Sequence, residues 1–233
     1  MMPARTFQCF MPLIRAVSQF DDPAFRGILL RSVGWSLVCF AALHVAAIWA
    51  VHRLLTLHGW LGWMVDILGS VGASLLALWL FLPVATVIGT LYFDRIARAV
   101  ERRFYPSLGR PHGASLIDQA RDGIVVALKV FGLNIAALIL VFLLPGGGLI
   151  LGWMIASYAI GRGLFVAVAM RRMPRPLAES LYRSRRGVVL GHGAILALAA
   201  YVPVLNLFIP IMGTAAMVHV LDIALEGPGV VRR

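Results

Sequence analysis

Long apolar runs alternate along the chain with short arginine-rich stretches. Residues 32–51 are a twenty-residue run whose one ionisable member is His44. A helix of that length covers roughly 30 Å, the thickness of the hydrocarbon core of a bilayer. A transmembrane helix is predicted there. A second apolar run starts at Gly59, is broken by Asp66 alone and ends at Phe93. As one helix it would measure ~50 Å, more than a bilayer needs. Its membrane part, residues 65–93, is predicted to tilt, protrude or bend at Pro83. Gly69, Ser70, Gly72, Ala73 and Ser74 cluster near its start, and small residues let helix backbones approach closely in lipid.

Residues 94–129 are polar. Asp94, Arg95, Arg98, Glu101, Arg102 and Arg103 predict a helix leaving the membrane on the cytoplasmic side, stopped by Pro106 and Pro111. Ser115 with Asp118 then marks the start of another helix. The next two apolar regions are shorter and broken. Residues 130–144 run into Pro145-Gly146-Gly147-Gly148 and return over 149–170. Residues 188–202 meet Pro203, Pro210 follows, and 211–221 return. Neither turn holds a charge. Short segments broken by Pro or Gly in both halves of a chain point to re-entrant hairpins and a transport path. Non-helical backbone at depth is tolerated where protein buries it or water lines it.

The reading carried forward is therefore all-α. Two long transmembrane helices precede two hemi-penetrating hairpins, residues 130–170 and 188–221, joined by the basic cytoplasmic loop 171–187. Pro145, Gly146, Pro203, Asn206 and Pro210 are assigned structural roles at the hairpin turns. Four ordinary spanning helices are the alternative, with the third region extended back through Ile124 and Lys129 snorkelling. Ahead of the first span, Phe7, Phe10, Met11, Ile14 and Val17 recur at helical spacing. Residues 6–20 are thus expected to form an amphipathic helix in the membrane interface, packing on protein being the other option.

Composition agrees. Of 233 residues, 61% are hydrophobic and 13% charged, with a mean hydropathy of +0.89. A soluble domain carries about 25% charged residues. The net charge is +11, and of the 21 basic residues every one but Lys129 is arginine. In a soluble protein that excess would suggest nucleic acid. Beside these apolar runs it marks loops held in the cytoplasm against anionic headgroups, and no nucleic-acid partner is expected. The first long run begins too late for a cleaved leader, so none is expected. Cys9 and Cys39 are too few for a disulfide framework or a zinc site. Six histidines lack metal spacing, and no zincin, nucleophile-elbow or phosphate-loop motif occurs. Neither catalysis nor a cofactor is expected.

Particular residues add a resemblance. Tyr201-Val-Pro-Val-Leu-Asn206-Leu-Phe-Ile-Pro210 followed by Gly213-Thr-Ala-Ala-Met217 resembles the C-terminal hairpin of the etoposide-induced/CysZ membrane family. Phe142-Leu-Leu-Pro145-Gly146-Gly147-Gly148 is similar to its first hairpin turn. Ala16-Val-Ser-Gln19 with Pro23-Ala-Phe-Arg26 resembles the segment before its first helix. The resemblance implies two long helices plus two hemi-penetrating hairpins, homo-oligomeric assembly and, in the CysZ branch, sulfate uptake. A multi-pass protein of the bacterial inner membrane that conducts sulfate or a similar anion is the expectation. A non-transporting structural or interaction protein is the alternative.

Two arginines are candidate anion-binding residues. Asp22-Pro23 reads as a helix N-cap and first-turn proline, which places Arg26 beside the positive end of a helix. Arg162 precedes Arg171 by nine residues, roughly 13 Å along a helix. An arginine at such depth is costly and is by default a functional candidate. His44 and His219 are expected to hydrogen-bond between helices, and Asn134 and Asn206 to be buried polar groups. The basic loops predict that both termini are cytoplasmic. Reporter fusions at Arg233 and near His58 should report opposite sides, and a periplasmic C-terminus would reverse the orientation.

Overall fold

A computed structural model describes residues 5–18, 21, 23–54, 62–64, 67–72, 74–75, 92–107, 109, 111, 113–143 and 147–226. Among them there is no strand, and eight principal helices follow one another. We label them α1 (Arg5–Ser18), α2 (Pro23–Leu54), α3 (Phe93–Phe104), α4 (Leu116–Leu143), α5 (Gly148–Met170), α6 (Arg175–Ser184), α7 (Arg186–Ala200) and α8 (Pro203–Glu226). Four stretches are long and apolar enough to cross a membrane: Phe25–Ala50, Ile117–Leu140, Gly148–Met170 and Phe208–Leu225. Within the predicted second span, residues 67–72 and 74–75 are helical, and Ser74 Oγ donates to the Ser70 carbonyl at 2.8 Å. Most of that span lies outside the described residues, as do Pro145 and Gly146.

The first expected helix is present and packs along α8. Pro12 and Ala16, one turn apart, are buried, while Met11, Ile14 and Val17 are exposed. One stripe of α1 therefore meets protein, and a second, apolar stripe faces outward. Pro12 sits inside the helix without ending it. In α2 the buried residues Phe25, Ser32 and Ser36 fall on one face, and Ser36 Oγ returns a hydrogen bond to the Ser32 carbonyl at 2.9 Å.

The polar region and the first hairpin are not separate units. Ser115 Oγ accepts from the Asp118 backbone N–H at 3.1 Å and donates to its carboxylate at 2.8 Å, starting a helix that runs without a break to Leu143. Its 28 residues measure about 42 Å. The helix is uninterrupted at Lys129 because nothing in the sequence there disrupts a helix. The outer face of α4 exposes Ile124, Leu128, Phe131, Leu138 and Ile139, a composition suited to lipid. Asn134 is on this exposed surface, not buried as expected, and its amide is satisfied by the Val130 carbonyl at 2.8 Å.

The interior gathers around α5 and α8. Phe165, Val166 and Met170 of α5 and Ile211, Met217 and Val220 of α8 are buried in one cluster with Ile96 and Val100 of α3. Helices α5 and α7 run antiparallel at close range. A Cβ on Gly161 would lie 2.9 Å from the Val189 carbonyl and 3.1 Å from the Gly193 Cα. Trp153 Nε1 donates to the Ala194 carbonyl at 2.9 Å, and the Tyr201 hydroxyl to the Leu149 carbonyl at 3.4 Å. The turn between α7 and α8 thus sits level with the start of α5. Pro203 opens α8, and the Asn206 backbone N–H donates to the Val202 carbonyl at 2.8 Å. Pro210 lies inside α8, and its carbonyl accepts from the Thr214 hydroxyl at 2.6 Å.

Gly161→Val should separate α5 from α7, because both atoms it meets are backbone. The expected loss is about 1–3 kcal/mol, read as a lower thermal midpoint in detergent. Gly123→Ala, where a Cβ meets nothing within 4 Å, should be neutral or stabilising by up to ~1 kcal/mol.

Candidate functional site

Arginines of α5 and the turn after it organise two charge clusters. Arg162 is 4% exposed. Its Nη1 donates to Asp122 Oδ2 of α4 at 2.6 Å, and Nη2 to Asp122 Oδ1 at 2.9 Å. Nη2 also donates to Glu179 Oε2 of α6 at 2.7 Å. The fork geometry of the guanidinium matches a carboxylate in this bidentate way. Asp122 further accepts from Arg175 Nε at 2.8 Å, and Glu179 holds Arg183 at 3.4 Å. A buried carboxylate thus carries two cations, and one arginine ties three helices together.

The second cluster surrounds the end of α5. Arg171 is buried, donating from Nε to Asp94 Oδ1 at 2.9 Å and from Nη1 to Glu101 Oε1 at 2.7 Å, both on α3. Arg172 Nε reaches the same Glu101 oxygen at 3.1 Å. Its Nη2 lies 3.0 Å from that oxygen but out of line for a hydrogen bond. The Ala114 backbone N–H donates to the Met170 carbonyl at 2.7 Å. A Cβ on Gly113 would overlap the backbone of Met170 and Arg171, so a side chain there is excluded. The residues before α4 are thereby held against the end of α5.

The model of the family described as sulfate transporter CysZ/etoposide-induced protein 2.4 matches residues 12–210. The chain belongs to this family. No curated protein and no solved structure matches it. The match covers the second half of α1, both charge clusters, α7 and the first third of α8. It identifies a transporter-type family and not an enzyme family, and the apolar helices make the chain a multi-pass membrane protein.

The two candidate anion residues lie in different settings in this family member. Arg26 is exposed in the first turn of α2, just after the buried Phe25, and Pro23 opens that helix as expected. Arg162 is buried and already commits three of its five donor hydrogens to carboxylates. The structure does not bring the two together through any contact among the described residues. Asp122 and Glu179 are the partners that sequence reasoning missed. They are 40 and 17 residues from Arg162. One available signal was the acid itself, since Asp122 is the last acid before a run in which Lys129 is the one charged residue until Arg162.

A third polar group ties α3 to α8. The Tyr105 hydroxyl and His219 Nδ1 are 2.8 Å apart, and Phe104 meets the imidazole edge-on at 4.9 Å between ring centres. His219 therefore bonds between helices as expected. Burial, with the nearby Asp222 charge, pushes the Tyr105 phenol up to about 12. Burial also raises Tyr182. His44 stacks on Phe40 with 6.0 Å between ring centres, and its Nδ1 has no hydrogen-bond partner among the described residues. No group of metal-binding side chains is found among the described residues.

Arg162→Met should cost about 3–5 kcal/mol, because it leaves a buried carboxylate underpaired. Arg162→Met with Asp122→Asn should recover most of that loss. Thermal midpoints of the two single variants and the double variant give the coupling. Strict additivity would show that the pair is not coupled.

Proposed function

We propose that this protein is an inner-membrane channel or permease for sulfate or a similar oxyanion, with Arg26 and Arg162 as its anion-binding residues and homo-oligomers as its working form. The observation that carries this reading is the excess of cations at one level. Arg162, Arg175 and Arg183 share only Asp122 and Glu179 as their ion-pair partners among the described residues. Arg185 and Arg186 follow at the base of α7. A local field of this sign concentrates dianions. A desolvated dianion also needs charge and N–H donors to replace its water.

Arg26 supplies the accessible group. Its guanidinium stands beside a helix N-terminus, where dipole and free N–H groups favour an anion. Arg162 supplies a buried charge, and an anion reaches it by displacing Glu179, the more exposed of its two carboxylates. The hairpins are re-entrant on this reading. From Arg162 back to the first residue of α5 is fourteen residues, roughly 21 Å. Helix α7, with 15 residues, rises about 22 Å. If the charged level marks the edge of the hydrocarbon, both turns stop short of a ~30 Å core. Positive-inside logic places that level, and both termini, on the cytoplasmic side.

The test is flux of labelled sulfate into liposomes holding the purified protein. Arg26→Ala should lower flux several-fold while leaving the size-exclusion profile unchanged. Arg26→Lys should restore it in part, since lysine lacks the planar fork. Arg162→Ala should lower both flux and stability. Unchanged flux in both alanine variants would remove these arginines from the mechanism. Absence of wild-type flux under any gradient would assign the chain the structural alternative, which the pairing of Arg162 with two carboxylates favours.

A further inference from the structure

The only lysine of the chain lies where the charge clusters do not reach. Lys129 is exposed on α4, seven residues beyond Asp122 along a span in which no residue of the most apolar window is buried. Seven residues correspond to about 10 Å of helix. The ion pairs among the described residues are all made by arginine, and none includes Lys129. An ammonium within a span is unfavourable unless it snorkels or meets an anion.

Beside it the surface is hollow. Lys129, Gly132 and Leu133 of α4 and Tyr158 of α5 line an open groove of about 410 Å³. A Cβ on Gly132 would meet nothing within 4 Å, so the missing side chain leaves space and not a helix contact. The groove is almost wholly apolar, and along α4 Lys129 is the lining residue nearer in sequence to Asp122 and Leu133 the one nearer the hairpin turn. Its surroundings on α4 are Leu128 and Phe131, both exposed.

We infer that this groove is a binding site for one anionic phospholipid of the leaflet on the arginine-rich side. The phosphate meets the Lys129 ammonium, drawn partly down toward it. An acyl chain lies along Gly132 and Leu133 against Tyr158. Charge complementarity selects the anionic headgroup, and the apolar lining selects a lipid over a free inorganic anion, which would lose its hydration with one cation to replace it. A second copy of the chain would have to bring a carboxylate to the same depth. The inference does not depend on transport.

Native mass spectrometry of the full chain, extracted from vesicles of phosphatidylcholine with phosphatidylglycerol, reads retained lipid directly. The wild type should keep phosphatidylglycerol in preference to phosphatidylcholine. Lys129→Gln should reduce that retention several-fold, and Lys129→Arg should preserve it. Gly132→Phe, which fills the groove and keeps the charge, should also reduce it. Excess inorganic sulfate should leave the lipid bound. Equal retention of both lipids by the wild type would overturn the inference, as would undiminished phosphatidylglycerol in both Lys129→Gln and Gly132→Phe. Displacement by sulfate would reassign the site to a small anion. Loss of retention only on dilution to monomers would assign the groove to a second copy.

Discussion

A guanidinium withdrawn from water on an apolar helix sets the terms for much of this structure. Arg162 cannot be buried alone, because desolvating an unpaired charge costs far more than any packing nearby returns. Two carboxylates must come to it, and they lie on different helices, Asp122 on α4 and Glu179 on α6. That requirement fixes the rotation of α4, places α6 across the base of α5, and draws Arg175 in as a second cation on Asp122. The same logic operates again at Arg171, where Asp94 and Glu101 bind α3 to the end of α5. In lipid the hydrophobic effect does not drive helices together. Polar pairing and close backbone contact take over that role.

Close contact is the complement of the charge pairs. Helices α5 and α7 meet through Gly161 and Gly193, where neither has room for a side chain. Hydrogen bonds from Trp153 and Tyr201 extend the same register to the hairpin turns. The clusters therefore fix one end of the hairpins and the glycine crossing fixes their middle. Each device works where the other cannot: charges need the polar edge, and bare backbone contact needs no water.

Much of this was legible in the chain, for identifiable reasons. The apolar runs, the Ser115–Asp118 cap and the stop before Pro106 are local, and local chemistry decided them. That Arg162 would be buried followed from its place in an apolar run nine residues before Arg171. Its partners did not, since pairing across 40 residues depends on how α4 returns beside α5. The glycine crossing was hidden for the same reason. Of the polar residues expected to be buried, Asn134 faces outward because an asparagine amide can be satisfied by its own helix backbone one turn earlier. The helix of the first hairpin's ascending arm runs back without interruption from the apolar run to Leu116. Residues 116–129 set four charged side chains among mostly apolar ones, a helix needs only an uninterrupted backbone to continue through them, and Asp122 faces its partners while the rest of that turn faces out.

The two hairpins are consequently unequal. The first has an ascending arm of 28 residues and the second one of 15. The descending arms are nearly the same length, 23 and 24 residues. The extra turns of α4 begin outside the Arg162 level and approach the Arg171 level, where Ala114 bonds the Met170 carbonyl. In the second hairpin the corresponding stretch is instead folded back as α6, with Glu179 supplying the carboxylate that α4 supplies through Asp122. Arg162 is thus held from one side by a helix that continues past it and from the other by one that turns across it. A carboxylate on a continuous helix cannot leave without moving the span. One on a short, amphipathic, partly exposed helix can. The mechanical asymmetry around this single guanidinium makes Glu179 the partner that yields when charge at this level rearranges, and Asp122 the one that keeps the fold in place.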